Sequence, residues 1–116
     1  MSKKSRPVDC CHIATPVTDL PGSERARIVA VFRALGDATR LEVFRLIAAQ
    51  ESPVCLCDIT ERFEVSQPTI SHHLKVLREA DLITVSRRGI WSFYSADATG
   101  VALLDAAVVP GLSAGA

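Results

Sequence analysis

The clearest alternation of apolar and polar positions lies between residues 66 and 77. Ile70, Leu74 and Leu77 recur at four and three residues, which places them on one helical face. Ser66 can accept a hydrogen bond from a first-turn amide, and Pro68 suits a helix start because its missing N–H is not needed there. The opposite face of this predicted helix carries short polar side chains and one cation: Gln67, Thr69, Ser71, His72 and Lys75.

A polar helical face of this kind suits contact with DNA, but it is also typical of an ordinary surface helix. A major groove admits one α-helix, and amides and hydroxyls can bind base edges and phosphates there. The segment before it favours the first interpretation. Asp58 can cap a brief helix that ends near Phe63, and residues 64–66 make a tight connection. Two short helices joined by three residues are typical of a helix-turn-helix.

Two further helices are predicted upstream, over residues 23–35 and 39–50, separated by Gly36-Asp37. Arg40 and Glu42 are expected to stay solvated. The inward positions of the two helices are expected to be Ile28, Val31, Phe32, Leu35, Leu41, Phe44, Leu46 and Ile47.

Residues 82–86 and 90–94 are rich in β-branched and aromatic side chains and predict two strands. Arg87-Arg88-Gly89 is the expected turn between them, with two cations at its tip. A hairpin directly after a helix-turn-helix makes a wing, whose arginines could reach the phosphate backbone. The alternative is a solvated turn whose charges merely discourage edge pairing. The position of the hairpin favours the role in DNA binding.

A last helix is predicted from a cap at Asp97 to about Val109, before Pro110-Gly111. It is too apolar for a free terminal helix. We expect it to pair with the first helix in a dimer interface, and the alternative is packing on the core of the monomer. Its apolar positions are Val101, Leu103, Leu104, Val108 and Val109.

The length of 116 residues fits one domain, and a domain of this size gains buried apolar surface by pairing with a second copy. We expect an N-terminal arm over residues 1–22, a folded domain over 23–110 and a disordered tail over 111–116. The basic first six residues have no apolar stretch behind them, and no run is long enough to span a bilayer. A cytoplasmic protein without a membrane partner is therefore expected.

The formal net charge is zero, with 13 basic and 13 acidic residues, so a nucleic-acid binder must concentrate positive charge locally. Residues 62–90 do so mildly, with five basic against three acidic side chains and two histidines. The residues expected to contact DNA are Ser66, Gln67, Thr69, Ser71, His72, His73, Lys75, Arg87 and Arg88.

The four cysteines form two clusters, Cys10-Cys11 in the arm and Cys55-x-Cys57. Clustered thiols in a cytosolic protein more often indicate metal or redox chemistry than disulfides, and thiolates select soft ions. Within one helix, Cys55 and Cys57 would point about 200° apart. Both could bind one ion only if the backbone there is extended or at a helix start. A redox switch on the vicinal pair is the alternative.

Three segments, residues 32–41 (FRALGDATRL), 54–59 (VCLCDI) and 66–77 (SQPTISHHLKVL), together resemble the ArsR/SmtB family of metal-sensing repressors. The resemblance extends over about residues 24–109. It implies a mainly α fold with a β-hairpin wing, that is, a homodimeric winged helix-turn-helix. It also implies a transcriptional repressor, not an enzyme, that binds operator double-stranded DNA and leaves it when a toxic metal or metalloid binds.

Within that family, the Cys-x-Cys-Asp segment resembles the inducer site of the arsenic- and cadmium/lead-responsive members. Thr60 stands where the best-known arsenic pattern has a third cysteine. Arsenic sensors that combine two vicinal N-terminal cysteines with one from the third helix are the most similar. The resemblance thus implies As(III) or Sb(III) bound by Cys10, Cys11 and Cys55, with Cys57 as a weaker fourth ligand.

Three alternatives remain open at this point. One is a repressor that responds to Cd(II) or Pb(II) with all four cysteines, and another is a thiol redox sensor on the same scaffold. The third, a small thiol enzyme, is disfavoured because no Cys-x-x-Cys is present. A zinc site on the last helix is also disfavoured, since no histidine follows His73. No permanent cofactor is expected.

Overall fold

The computed structural model describes Ile13 and residues 17–107. Cys10 and Cys11 of the predicted arm, residues 108–110 and the predicted tail over 111–116 lie outside the described residues. The elements are α1 (Gly22–Leu35), α2 (Ala38–Ala49), β1 (Val54–Cys55), α3 (Leu56–Phe63), α4 (Gln67–Glu79), β2 (Ile83–Arg88), β3 (Trp91–Ala96) and α5 (Ala98–Ala107). The predicted fold class, mainly helical with a β-hairpin wing after a helix-turn-helix, is confirmed.

The three strands form one antiparallel sheet in the order β1-β3-β2. β2 and β3 pair from Ile83 opposite Ala96 to Arg88 opposite Trp91, which leaves a two-residue loop. Gly89 opens this loop with a φ of +61°, a conformation that two-residue hairpins need and glycine adopts without strain. The predicted Arg87-Arg88-Gly89 turn is therefore wrong, since both arginines belong to β2.

The core lies between the helices and the inner face of the sheet. α4 supplies Ile70, Leu74 and Leu77, all at most 1% exposed, as their spacing predicts. No described residue with a polar or charged side chain is fully buried. The other large, fully buried side chains are Val31, Val43, Ile47, Ile59, Leu82 and Ile83.

The prediction that Phe32 and Leu41 face the core is wrong. Phe32 is 50% exposed and Leu41 is 38% exposed, whereas Ala34 and Val43 are buried. Both helices carry two adjacent apolar stripes, and helical periodicity alone does not tell which stripe meets the core. In α1 the stripe that packs against α4 is the one that contains the small Ala34. Phe32 is left on the surface.

Arg40, expected to be solvated, is also half-buried. Its Nε donates a hydrogen bond to the carbonyl oxygen of Ala34 at 2.8 Å, so its side chain crosses the junction between α1 and α2. At the same junction Asp37 caps α2, because its Oδ1 accepts a hydrogen bond from the backbone N–H of Arg40 at 3.0 Å. This hydrogen bond is the main reason why the pKa of Asp37 lies below its ordinary value.

Individual residues set the start and end of α3 and the start of α4, the two helices of the helix-turn-helix. Cys55, not the predicted Asp58, occupies the cap position of α3, and Asp58 lies in the first turn. Glu64 ends α3 in the left-handed region with a φ of 53°. Ser66 then caps α4, since its Oγ accepts a hydrogen bond from the backbone N–H of Thr69 at 3.4 Å. The predicted three-residue connection is confirmed.

The last helix packs against the first and closes the domain. α5 is capped by Asp97, whose Oδ1 accepts a hydrogen bond from the backbone N–H of Thr99 at 2.9 Å. The approach of α5 to the end of α4 is close at Gly100, where an added Cβ would lie 2.8 Å from the carbonyl oxygen of Asp81. Of the helices described, none has both the length and the apolar character needed to cross a membrane.

Candidate nucleic-acid interface and thiol site

The exposed face of α4 carries the polar side chains that the sequence pattern selects. Its apolar side is fixed against the core by Ile70, Leu74 and Leu77, so the opposite side faces solvent. Because α4 is held at both its cap and its buried face, this polar surface has a defined orientation. The exposed residues on it are Ser66, Gln67, Thr69, Ser71, His72 and Lys75.

His73 belongs to a different environment from these residues. Its ring is half-buried, and its Nδ1 lies 3.4 Å from Nη1 of Arg40. The same guanidinium donates from Nη2 to the carbonyl oxygen of Arg33 at 3.4 Å. His73 therefore links α4 to the junction of α1 and α2, and the structure does not group it with the exposed polar residues.

A cleft of about 280 Å³ separates α4 from the wing and collects positive charge. Lys75 and Arg78 reach it from α4, and Arg87 reaches it from β2. Ser71 and Ser92 add hydroxyl groups, and none of the described residues that line the cleft carries a carboxylate. Three cations with hydroxyl donors form a suitable binding place for a phosphate group.

Arg78 is a residue of this cleft that the sequence-based prediction of DNA contacts omits. The available signal was its position three residues after Lys75, which places both on one helical face. Only the packing of the wing against α4 brings Arg87 to the same cleft. The structure thus groups two predicted cations with one that was not predicted.

The two wing arginines lie in different surroundings. Nη1 of Arg87 donates a hydrogen bond to Oγ of Ser92 at 3.4 Å on the side of the wing that faces α4. Successive side chains of a strand point to opposite faces. Accordingly, the guanidinium carbon of Arg88 lies 5.2 Å from the ring centroid of Phe93 on the other side. The two guanidinium groups therefore lie on opposite faces of the wing.

The second cysteine cluster lies where β1 turns into α3. Cys55 is the last residue of β1 and is buried, whereas Cys57 is the second residue of α3 and is exposed. Their Sγ atoms are 2.6 Å apart, and both thiols are free. The backbone passes from extended to helical between the two cysteines, which is the geometry expected for two side chains that reach one ion.

The surroundings of Cys57 favour its protonated thiol. The pKa of Cys57 lies above its ordinary value, first because its thiol shares a hydrogen bond with Cys55, and then because of desolvation and the neighbouring charges. A soft ion that binds here must displace the protons, so its affinity is expected to rise with pH.

A single soft ion fits between the two sulfurs after a small adjustment. Two thiolates about 2.3 Å from a tetrahedral ion are about 3.7 Å apart. The sulfurs therefore need to separate by roughly 1 Å to hold such an ion. Within Ile13 and residues 17–107, no group of three or more His, Cys, Asp or Glu side chains could hold a metal. Cys10 and Cys11, the predicted further ligands, lie outside that range.

The thiol pair opens into a cleft of about 400 Å³ between α3 and the wing, which we call the thiol cleft. Gln67, the first residue of α4, lines it together with Ile90 and Trp91 of the wing. Both elements that carry the candidate DNA contacts therefore border the thiol cleft. Its complete lining is Cys55, Leu56, Cys57, Thr60, Glu61, Gln67, Ile90, Trp91 and Ser92.

Comparison with known proteins gives consistent matches. The sequence pattern described as "Bacterial regulatory protein, arsR family" matches residues 37–85. The arsenical resistance operon repressor of Bacillus subtilis is 48% identical over 63 residues, which are 54% of this chain and 59% of that protein. The chain thus covers less than two thirds of this relative. The transcriptional repressor SdpR of Bacillus subtilis is 38% identical over 69 residues, 60% of this chain and 74% of that protein.

Among solved structures, a homodimeric winged helix-turn-helix DNA-binding domain from Mycobacterium bovis has the same fold, with a TM-score of 0.64. It is 22% identical, and the match covers 78% of this chain and 82% of that one. The matched family pattern covers α2, β1, the helix-turn-helix of α3 and α4, and the start of β2. On these grounds the chain belongs to the arsR family of bacterial regulatory proteins.

Proposed function

We propose that this protein is a repressor that binds operator double-stranded DNA as a homodimer and leaves it when As(III) or Sb(III) binds its cysteines. One observation carries the proposal: the thiol pair opens into a cleft bordered by both the first residue of α4 and the wing. The name of the Bacillus subtilis relative, an arsenical resistance operon repressor, supports arsenic as the inducing element.

In the proposed complex, α4 enters the major groove with its exposed polar face. Two α4 helices of a dimer contact successive grooves, about 34–36 Å apart, on an inverted repeat. Lys75, Arg78 and Arg87 bind a phosphate in the cleft between α4 and the wing, and Arg88 contacts the flank. The side chains that we assign to base edges and nearby phosphates are Ser66, Gln67, Thr69, Ser71 and His72, with His73 in a supporting position.

The proposed dimer uses the outer surface of α1 and α5. Val29 and Phe32 on α1 and Val101 on α5 are 40–50% exposed, although each is apolar. A second copy of the chain would remove these side chains from water. The Mycobacterium bovis relative of the same fold is described as homodimeric, which supports this assembly.

For the inducer, we propose a three-thiolate site formed by Cys10, Cys11 and Cys55, with Cys57 as a weaker fourth ligand. The arm over residues 1–22 brings the first two thiols to the thiol cleft of the same or the partner subunit. Arsenic bound there displaces α3 and the wing from their DNA-binding arrangement. A coupling of a few kcal/mol is enough to release DNA, and by reciprocity DNA weakens arsenic binding equally.

The short distance between the Sγ atoms of Cys55 and Cys57 also favours two other signals for release from DNA. Cd(II) or Pb(II) would accept all four thiolates, since cadmium favours a fourth ligand. A redox input would instead join cysteines in a disulfide, with release of DNA by peroxide and recovery with a dithiol reductant. Both alternatives use the same DNA-binding surface.

Fluorescence anisotropy of a labelled inverted-repeat operator, titrated with reduced protein, tests the proposal. Arsenite, antimonite, cadmium, lead, zinc and peroxide are then added separately. We expect release by arsenite or antimonite at lower concentration than by cadmium. Release by cadmium or lead alone would instead indicate the four-cysteine repressor, and release by peroxide alone the redox sensor.

The site assignment has its own test. Cys10→Ser removes a proposed ligand from the arm and leaves the described domain intact. We expect this variant to bind the operator like the parent and to require much more arsenite for release. An arsenite response equal to that of the parent would show that Cys10 is not a ligand.

A further inference from the structure

We propose that Lys75 is a modification site: the cleft between α4 and the wing binds a small acyl phosphate, which transfers its acyl group to the amine of Lys75. The product is a neutral amide in place of an ammonium group. The inference assigns a second ligand to a cleft whose binding of DNA phosphate belongs to the proposed function. The effect of the modification on DNA binding rests on that proposed function, whereas the acyl transfer itself does not.

The three cations of the cleft differ in their chemistry. Lys75 is the single lysine among the described residues, and the chain has two others, Lys3 and Lys4. Arg78 and Arg87 keep their charge in proteins, whereas a lysine amine can lose its proton and attack a carbonyl carbon. The cleft thus places one amine nucleophile beside two cations that stay charged.

The phosphoryl group of an acyl phosphate matches the remaining lining of the cleft. Arg78 and Arg87 present planar guanidinium groups, which donate paired hydrogen bonds to phosphate oxygens. Ser71 and Ser92 add hydroxyl donors, and no carboxylate lines the cleft in the described part of the chain. Neither of the two ion pairs within residues 17–107 involves a cation of the cleft. A phosphate dianion therefore meets donors that are not engaged with a carboxylate.

The position of Lys75 brings its amine to the other end of the bound molecule. Lys75 lies four residues after Ser71 and three before Arg78, so the three share one face of α4. One bridging oxygen joins the phosphorus of an acyl phosphate to its carbonyl carbon. A phosphoryl group held by the arginines therefore leaves the carbonyl group inside the same cleft, whose volume of about 280 Å³ suits a small molecule. Holding the two reacting groups together accelerates the transfer.

The transfer balances without an oxidant or a reductant. The neutral amine of Lys75 attacks the carbonyl carbon, a C–N bond forms, and the bond from that carbon to the bridging oxygen breaks. Phosphate leaves with the electron pair of the broken bond, and Arg78 and Arg87 stabilise its negative charge. The amine proton passes to the phosphate or to solvent. Because the amide is uncharged, Lys75 loses its attraction for DNA phosphate.

The test incubates the full, reduced chain with acetyl phosphate in the absence of DNA. Mass spectrometry of its peptides follows acetylation at each lysine, and Lys3 and Lys4 serve as internal references because they meet the same reagent. We expect acetylation of Lys75 to be about tenfold or more faster than that of the references. Sulfate should slow the reaction at Lys75 alone, since it competes for the two arginines.

Two variants identify the group that holds the reagent. Arg78→Ala removes one phosphoryl contact, and we expect the rate at Lys75 to fall by about tenfold or more while the rates at Lys3 and Lys4 stay the same. Arg45→Ala removes a cation of α2 that does not line the cleft, so the rate at Lys75 should stay close to that of the parent. Equal slowing by the two variants would show that net charge attracts the reagent, and would overturn the proposal.

A separate measurement connects acetylation with operator binding. Protein acetylated at Lys75 should bind the operator about threefold or more weakly than untreated protein, and acetyl phosphate should not change the affinity of Lys75→Arg. Acetylation of Lys75 no faster than that of Lys3 and Lys4 overturns the site, whatever the operator assay shows. Selective acetylation with unchanged operator affinity overturns the contact of Lys75 with DNA. Selective acetylation of a chain that binds no operator overturns the proposed function alone.

Discussion

Cys55 lies directly opposite Phe93 in the pairing of β1 with β3, and the ring of Phe93 in turn contacts the guanidinium of Arg88. The strand that carries the buried thiol is therefore paired directly with a strand of the wing. A ligand that shifts Cys55 acts on β3 through the backbone pairing, in addition to any movement of α3. This route connects the thiol cleft to a proposed DNA contact in two steps.

The first prediction concerns this route. Phe93→Leu keeps an apolar side chain opposite Cys55 but removes the aromatic face that holds Arg88. We expect the arsenite-induced loss of operator affinity to decrease by about 1 kcal/mol, with a much smaller change in affinity without arsenite. Operator anisotropy with and without arsenite measures both quantities.

Phe44→Leu is the matched control for Phe93→Leu. Phe44 packs against the core from α2, and it does not line the thiol cleft. The control should retain the full arsenite response. An equal loss of response in both variants would mean that general loosening of the domain, not the Phe93 contact, is responsible.

The second prediction concerns Arg78. Arg78→Ala should weaken binding to operator and to unrelated DNA by similar factors, because a phosphate contact carries no sequence information. The slope of log affinity against log salt concentration should decrease by about 1, since one fewer counterion is released. Anisotropy titrations at several salt concentrations measure the slope.

Arg45→Ala serves as the comparison for Arg78→Ala. Arg45 is a solvated cation of α2 paired with Glu42, outside the cleft between α4 and the wing. Its removal should leave the salt slope nearly unchanged. If the two variants lower the slope equally, net charge rather than the cleft governs binding.

The third prediction follows from the cap of α2. The pKa of Asp37 is lowered in the folded protein, mainly by the hydrogen bond from the backbone N–H of Arg40. Asp37 therefore contributes stability that is present above its unfolded pKa of about 3.9 and is lost as the pH falls through the lower folded value. Asp37→Asn keeps a cap but cannot titrate, so its stability should fall less below pH about 4.

Thermal unfolding followed by circular dichroism at neutral and acidic pH measures this difference for Asp37→Asn. Asp105→Asn removes an exposed carboxylate from α5 and is the control. The control should show the same acid-induced decrease in Tm as the parent. The assignment to Asp37 is refuted if Asp37→Asn shows that same decrease.

The fourth prediction concerns Gly100. An alanine there would place its Cβ 2.8 Å from the carbonyl oxygen of Asp81 and 3.1 Å from that of Ala80. Because both neighbours are backbone atoms, α5 must move away from the end of α4. We expect Gly100→Ala to lower the free energy of unfolding by about 1–3 kcal/mol, measured by urea denaturation.

Gly22→Ala is the control substitution for Gly100→Ala, and no destabilisation is expected from it. Gly22 is the first residue of α1, and an added Cβ would meet nothing within 4 Å. Alanine there should be neutral or slightly stabilising, because it favours the helix. Similar destabilisation by the two substitutions would exclude a specific close approach of α5.

The sequence determined α4 almost completely. Ser66, Pro68 and the spacing of Ile70, Leu74 and Leu77 are local signals, and each acts within one or two turns of the same helix. The three-residue connection from α3 and the hairpin after α4 were predictable for the same reason. Capping, helical periodicity and β propensity all depend on neighbours along the chain.

Tertiary structure decided which of these local surfaces meet. The choice of Ala34 over Phe32, the contact of Arg40 with His73, and the placing of Arg78 beside Arg87 all depend on segments distant in sequence. The two sulfurs of Cys55 and Cys57 approach each other because β1 pairs with β3 and ends there, so that α3 begins between them. Periodicity along one segment does not specify its partner, because packing depends on the shape of both surfaces.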